Sequence, residues 1–205
     1  MRMEHVTACY WQKEAEAGLF LSLQQRNYRR RKASVVSACI SDNREQMLRL
    51  QNRMEEALET EAIWKPHREA LLQEKWEDYL ETQKEDGDYA GILCVENRVL
   101  LFGHGRMRIC GFFHRFGRAE WKIFQKQCMA GEVETGTALL VADNAFVNCC
   151  EGELAECLQP QNLWGLSPQE RGRRATKRLQ ELGSRAERQG GRHMGAVWIL
   201  PEQGV

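Results

Sequence analysis

The sequence predicts a layered α+β fold. Strand-like and helix-like segments come in blocks rather than in strict β-α alternation, which favours stacked layers over a parallel wound sheet. The 205 residues suffice for one domain with a sizeable core, so residues 1–205 are read as a single domain. A hydrophobic content of 42% beside a charged content of 28% is that of an ordinary globular chain.

The elements follow in order. "EHVTACYW" alternates polar and apolar residues, and "AGLFLSL" follows a polar turn; both read as strands. The basic run "RNYRRRKAS" reads as a solvated loop or helix start, or as a patch facing an anion. From about residue 44 to 83 the period turns helical. Met47, Leu50, Met54 and Leu58 form one stripe, and Leu72, Trp76, Tyr79 and Leu80 form another. Pro66 suits the first turn of the second helix and separates the two. Residues 89–124 read as four strands: "YAGILCV", "RVLLFGH", "RMRICGFFHRF" and "AEWKIFQ". A fifth, "TALLV", ends at Asp143, and "EGELAECL" reads as a short helix. A longer helix starts with Ser167 as N-cap, Pro168 at its first position and Glu170 completing a capping box. Ala175, Leu179, Leu182 and Ala186 form its apolar stripe, Gly190-Gly191 stops it, and "GAVWIL" is a final strand.

Lys+Arg and Asp+Glu are balanced at 29 each, so nothing argues for nucleic acid or an acidic membrane as a partner. No apolar run reaches the ~18 residues of a membrane span, and no signal peptide is visible at the N-terminus. The eight cysteines include no C-x-x-C pair and sit mostly in apolar runs. They read as buried reduced thiols in a cytoplasmic protein, the neighbours Cys149-Cys150 included.

Four stretches carry a resemblance. "LLVADNAF" is a strand ending in Asp143, "RQGGRHMGAVWIL" a helix end followed by a strand, "DYAGILCVENRVLLFGHGRMRI" a strand pair, and "LFLSLQQRN" an early strand. In this order they resemble the metal-dependent (PPM, or type-2C) serine/threonine protein phosphatases. That resemblance implies a four-layer α-β-β-α sandwich, with a pair of helices on each outer face. It places Asp143 on the aspartate of the family's L-L-L-x-S-D-G-[LF] text and His193 on the aspartate of G-G-x-D-N. His104-Gly105-Arg106 fall on D-S-R, and Leu23-Gln24-Gln25 on the D-G of L-F-V-V-A-D-G-M-G-G.

The chemistry implied by the resemblance uses two manganese or magnesium ions that activate a bridging water for in-line attack on phosphorus. Two such cations ~4 Å apart repel by roughly 16 kcal/mol even at an effective dielectric of ~20, so several carboxylates must surround them. The sequence has only five aspartates, Asp42, Asp78, Asp86, Asp88 and Asp143. By this alignment Asp143 alone keeps a family acid, as a vestigial metal ligand, while His193 replaces one. Glu14 and Glu16 are poor substitutes for the N-terminal acids. The expectation is therefore a degenerate pseudophosphatase with no catalytic residues and no cofactor. It would act as a regulatory or binding module for a protein or phosphopeptide in cytoplasmic signalling. Arg106, Arg29, Arg30 and Arg31 are the candidate anion contacts. The alternative is an active manganese- or magnesium-dependent phosphatase with a divergent metal site. A single zinc ion on Asp143, His193 and His104 is a weaker possibility. Ser34, in "RRRKAS", matches a basophilic kinase site.

Overall fold

A computed structural model of the chain describes residues 7–12, 18–28, 33–59, 65, 67–115, 118–134, 136–190 and 194–201. Among them the elements run β1 (Thr7–Gln12), β2 (Phe20–Tyr28), β3 (Ala33–Ser41), α1 (Arg44–Glu59), α2 (Glu69–Glu81), β4 (Tyr89–Val95), β5 (Arg98–His104) and β6 (Met107–Arg115). They continue with β7 (Arg118–Ile123), β8 (Cys128–Glu132), β9 (Ala138–Asp143), α3 (Asn144–Cys157), α4 (Pro168–Arg188) and β10 (Gly195–Leu200).

The strands form two antiparallel sheets, ordered β1-β10-β9-β6-β7 and β2-β3-β4-β5-β8. Alternation along each strand divides the apolar residues between two faces. Val36, Ala38, Ile40, Ile92, Leu101, Val141, Val197 and Ile199 fill the space between the sheets. Val35, Cys39, Leu93, Leu100 and Phe102 face outward onto the stripe of α1 and α2, where Leu50, Met54, Trp76 and Leu80 lie. On the opposite side Cys110, Phe112, Leu140 and Trp198 meet Phe146, Leu154, Leu179 and Leu182 of α3 and α4. The result is the expected four-layer α-β-β-α sandwich.

The element order departs from the sequence reading at three places. The basic run leads into a strand, β3, not into a loop and helix. Its residues "ASVVSACIS" are buried along their whole length, so they show no alternation for a pattern reading to find. β8 is short and contains Gly131, which hid it as a loop. Helix α3 begins at Asn144, well before "EGELAECL". Pro66 lies outside the described residues, and α2 begins at Glu69. The long helix keeps its predicted start: Ser167 Oγ accepts from Glu170 N at 3.4 Å, and Glu170 Oε2 accepts from Ser167 N at 3.2 Å.

Candidate functional site

One end of the sandwich gathers the β3–α1, α2–β4, β5–β6 and β9–α3 junctions. Asp143 closes β9 and opens α3. Its Oδ1 accepts the N–H of Phe146 at 3.0 Å, which makes it the N-cap of α3. Its Oδ2 accepts the N–H of Gly195 at 2.7 Å, which fixes the start of β10. The side chain is buried, and burial is the largest influence on its pKa, which is raised; the N–H groups of Gly195 and Phe146 oppose that shift. Asp143 therefore holds two backbone segments 52 residues apart.

A second carboxylate lies at the end of β3. The sequence reading set the strand-then-acid text of the first helix at Leu23-Gln24-Gln25, but these residues lie inside β2 and pair with β3. The strand that runs into α1 is β3, and the acid that follows it is Asp42. Asn43 then caps α1, its Oδ1 accepting from the N–H groups of Glu45 at 3.0 Å and Gln46 at 3.2 Å. Asp42 Oδ1 accepts the Asp88 N–H at 2.9 Å, and Asp42 Oδ2 accepts from an Arg106 guanidinium nitrogen at 2.8 Å. Arg106 Nε in turn bonds Asp88 Oδ2 at 2.9 Å. One guanidinium thus bridges two carboxylates, the three side chains coming from three separate loops. The Arg106 carbonyl also accepts the Asn144 N–H at 2.9 Å, which ties this cluster to the Asp143 corner.

Two glycines make room for the cluster. Gly105 sits at φ +67°, and a Cβ there would lie 1.7 Å from Asp88 Oδ1. Gly87 sits at φ +139°, and its Cβ would lie 2.4 Å from Asp42 Oδ1. Both positions need backbone that only glycine adopts readily, and both carboxylates fill the space that a side chain would take.

The remaining candidates separate. Arg106, expected to contact an outside anion, bonds Asp42 and Asp88 and stays half exposed. Arg29, Arg30, Arg31 and His193 lie outside the described residues, as do Glu14 and Glu16. His104 lies against the Tyr89 ring, with centroids 5.7 Å apart. Ser34 is buried in β3 with its Oγ unpaired, so it is not an accessible phosphoacceptor. Cys150 is buried against α4, its thiol approaching the Leu182 carbonyl at 3.5 Å. Sequence reasoning missed Asp42 and Asp88. The text "SDN" before a helical period was the available signal for Asp42, since it reads as capping chemistry.

A centre of two hard cations needs several carboxylate oxygens facing it. Here both oxygens of Asp143 accept backbone N–H groups, and both oxygens of Asp42 are engaged by Asp88 and Arg106. A permanently charged guanidinium stands between Asp42 and Asp88. Among the described residues this donor set does not fit a pair of divalent cations. Nor does any group of three or more His, Cys, Asp or Glu side chains among them have the arrangement to hold one metal ion.

No protein-family model matches the sequence, and no curated protein matches it. Solved structures do. The chain is similar to the phosphatase domain of the cell fate determinant SpoIIE from Bacillus subtilis, with a TM-score of 0.55 and 13% identity, covering 98% of this chain and 92% of that one. It is similar to the Mycobacterium tuberculosis serine/threonine phosphatase PstP/Ppp, with a TM-score of 0.52 and 13% identity over 97% and 99% of the two chains. A catalytic domain of PstP in complex with two manganese ions gives a TM-score of 0.50 at 14% identity over 95% and 96%. The fold is that of the PP2C-type serine/threonine phosphatase domains.

Proposed function

We propose that this chain is a non-catalytic binding or regulatory module built on the phosphatase sandwich. It engages a partner protein, or a phosphorylated segment of one, without hydrolysing it. The observation that carries this reading is Arg106, whose guanidinium bonds Asp42 and Asp88 at 2.8 and 2.9 Å. This half-exposed cation, paired to both carboxylates, does part of the charge compensation that a metal would otherwise supply. It also opposes a divalent ion beside it by like-charge repulsion, screened in part because the guanidinium is half exposed. The use of both Asp143 oxygens on backbone N–H groups supports the same reading. In this reading Asp143 serves as a structural cap rather than as a ligand.

The test is hydrolysis of p-nitrophenyl phosphate across a manganese titration. The expected outcome is no turnover above the protein-free rate at any manganese concentration. Turnover that climbs with manganese, and is lost in an Asp143→Asn variant shown by circular dichroism to be folded, would make the chain an active phosphatase and overturn the proposal.

A further inference from the structure

A cleft of about 470 Å³ opens beside the Arg106 cluster, between the β5–β6 hairpin and the segment that joins β7 to β8. Two backbone hydrogen bonds hold its walls together, from Gly103 N to Gln127 O at 2.9 Å and from Phe124 N to Ile109 O at 2.8 Å. The volume lies within the roughly 300–1,000 Å³ of small-ligand sites.

Its chemistry is one-sided. His104, Arg108, Lys126, Gln125 and Gln127 supply the polar lining, and among the described residues no aspartate or glutamate lines it. The chain as a whole has equal numbers of acids and bases, so a concave surface with bases alone is a local departure. Arg108 is anchored by one guanidinium nitrogen, which donates to the carbonyls of Gly105 at 2.7 Å and Met107 at 3.0 Å. Neither contact neutralises its charge. Lys126 is exposed. Gln127 also lines the cleft, with its side-chain amide turned to the Tyr89 hydroxyl. Lys122, which stands 5.3 Å from the Phe124 ring centroid, adds a further positive charge behind this wall. The opposite wall is apolar, from Ile109, Ile123 and Phe124.

We infer that this cleft binds a phosphomonoester, with the dianion between Arg108 and Lys126 and its organic stem on the Ile109–Phe124 wall. A bare inorganic anion would leave the apolar wall uncovered, and an uncharged ligand would leave the bases unanswered. The inference rests on the binding reading given above, and it moves the anion contact from Arg106 to Arg108 and Lys126, one hairpin away.

The test uses phenyl phosphate as probe, followed by ¹⁵N-¹H correlation spectra of the whole chain. Saturable shifts are expected at residues 103–109 and 123–127. Arg108→Gln and Lys126→Ala should each weaken binding about tenfold, and benzyl alcohol should produce no such shifts. A phosphoserine peptide titrated in parallel identifies the source of the ester. Tighter binding of the peptide points to a protein side chain, and equal binding of the two probes to a free phosphomonoester; both support the site. Absence of saturation with both probes, equal binding by the two variants while they remain folded, or equal binding of benzyl alcohol would overturn it. Because the readout is binding, it can fail while the manganese assay stands, and the converse also holds.

Discussion

At the scale of single residues, Asp143 and Arg106 share a habit: each makes a bond to a part of the chain remote in sequence. Asp143 serves Phe146 next door and Gly195 across the sheet. Removing its side chain leaves both N–H groups buried without an acceptor. Asp143→Ala is expected to destabilise the fold by about 2–5 kcal/mol, and Asp143→Asn, which keeps one acceptor, by roughly half as much. Urea unfolding with and without manganese checks this, since loss of a cap gives the same change in both. Part of this site was legible in the sequence and part was not. An acid at the end of "ALLVA" was visible, and so was its place in the phosphatase-like order. That the same acid caps a helix was hidden because "NAFVNCC" has no clear polar face. The pairing of Arg106 with Asp42 spans 64 residues and leaves no local trace. Asp42 itself was obscured because the strand before it lacks alternation, which moved the early motif onto β2.

Among the elements, the sheet that carries α1 and α2 shows how a strand is fixed from outside. Gly91 of β4 stands opposite Phe102 of β5. A Cβ on Gly91 would lie 2.3 Å from the Phe102 ring, and that ring is stacked on Trp76 at 4.7 Å between centroids. The ring has nowhere to retreat, because Trp76 is itself buried under α2. Gly91→Ala is therefore expected to cost about 1–3 kcal/mol through overpacking. It should lower the urea midpoint with an unchanged slope. The amphipathic helices were the easiest elements to read, since α1, α2 and α4 each present one apolar stripe to a sheet. The inner strands were harder. β3 is covered on both faces, so its small Ala, Ser and Cys residues look like loop chemistry until the layers are assembled.

For the molecule as a whole, the thiols report on how closed the layers are. Burial pushes Cys9, Cys39, Cys94, Cys110, Cys128 and Cys150 from 9.0 up to about 12. A group whose pKa is raised by folding keeps its proton more firmly in the native state. The stability tied to that proton is complete below pH 9 and is lost as the pH climbs from 9.0 towards about 12. The loss recurs at each of the six buried thiols, so the fold weakens progressively over that interval. Cooperative unfolding is expected well before pH 12, and circular dichroism against pH would follow it. At pH 8 an aromatic disulfide reagent should read no more than the half-buried Cys149 and Cys157, and all eight thiols once the chain is denatured.

The position of β10 constrains how such a molecule comes into being. It lies between β1 and β9, with registers running from Thr7–Leu200 to Gln12–Gly195 on one side and from Ala196–Ala142 to Ile199–Leu139 on the other. Until it arrives, β1 has no strand partner among the described residues, and β9, β6 and β7 form a three-stranded half with an open flank. As the chain leaves the ribosome, the α1/α2 sheet can close early, while the other must wait for this wedge. The waiting half then carries an unpaired strand edge along β9.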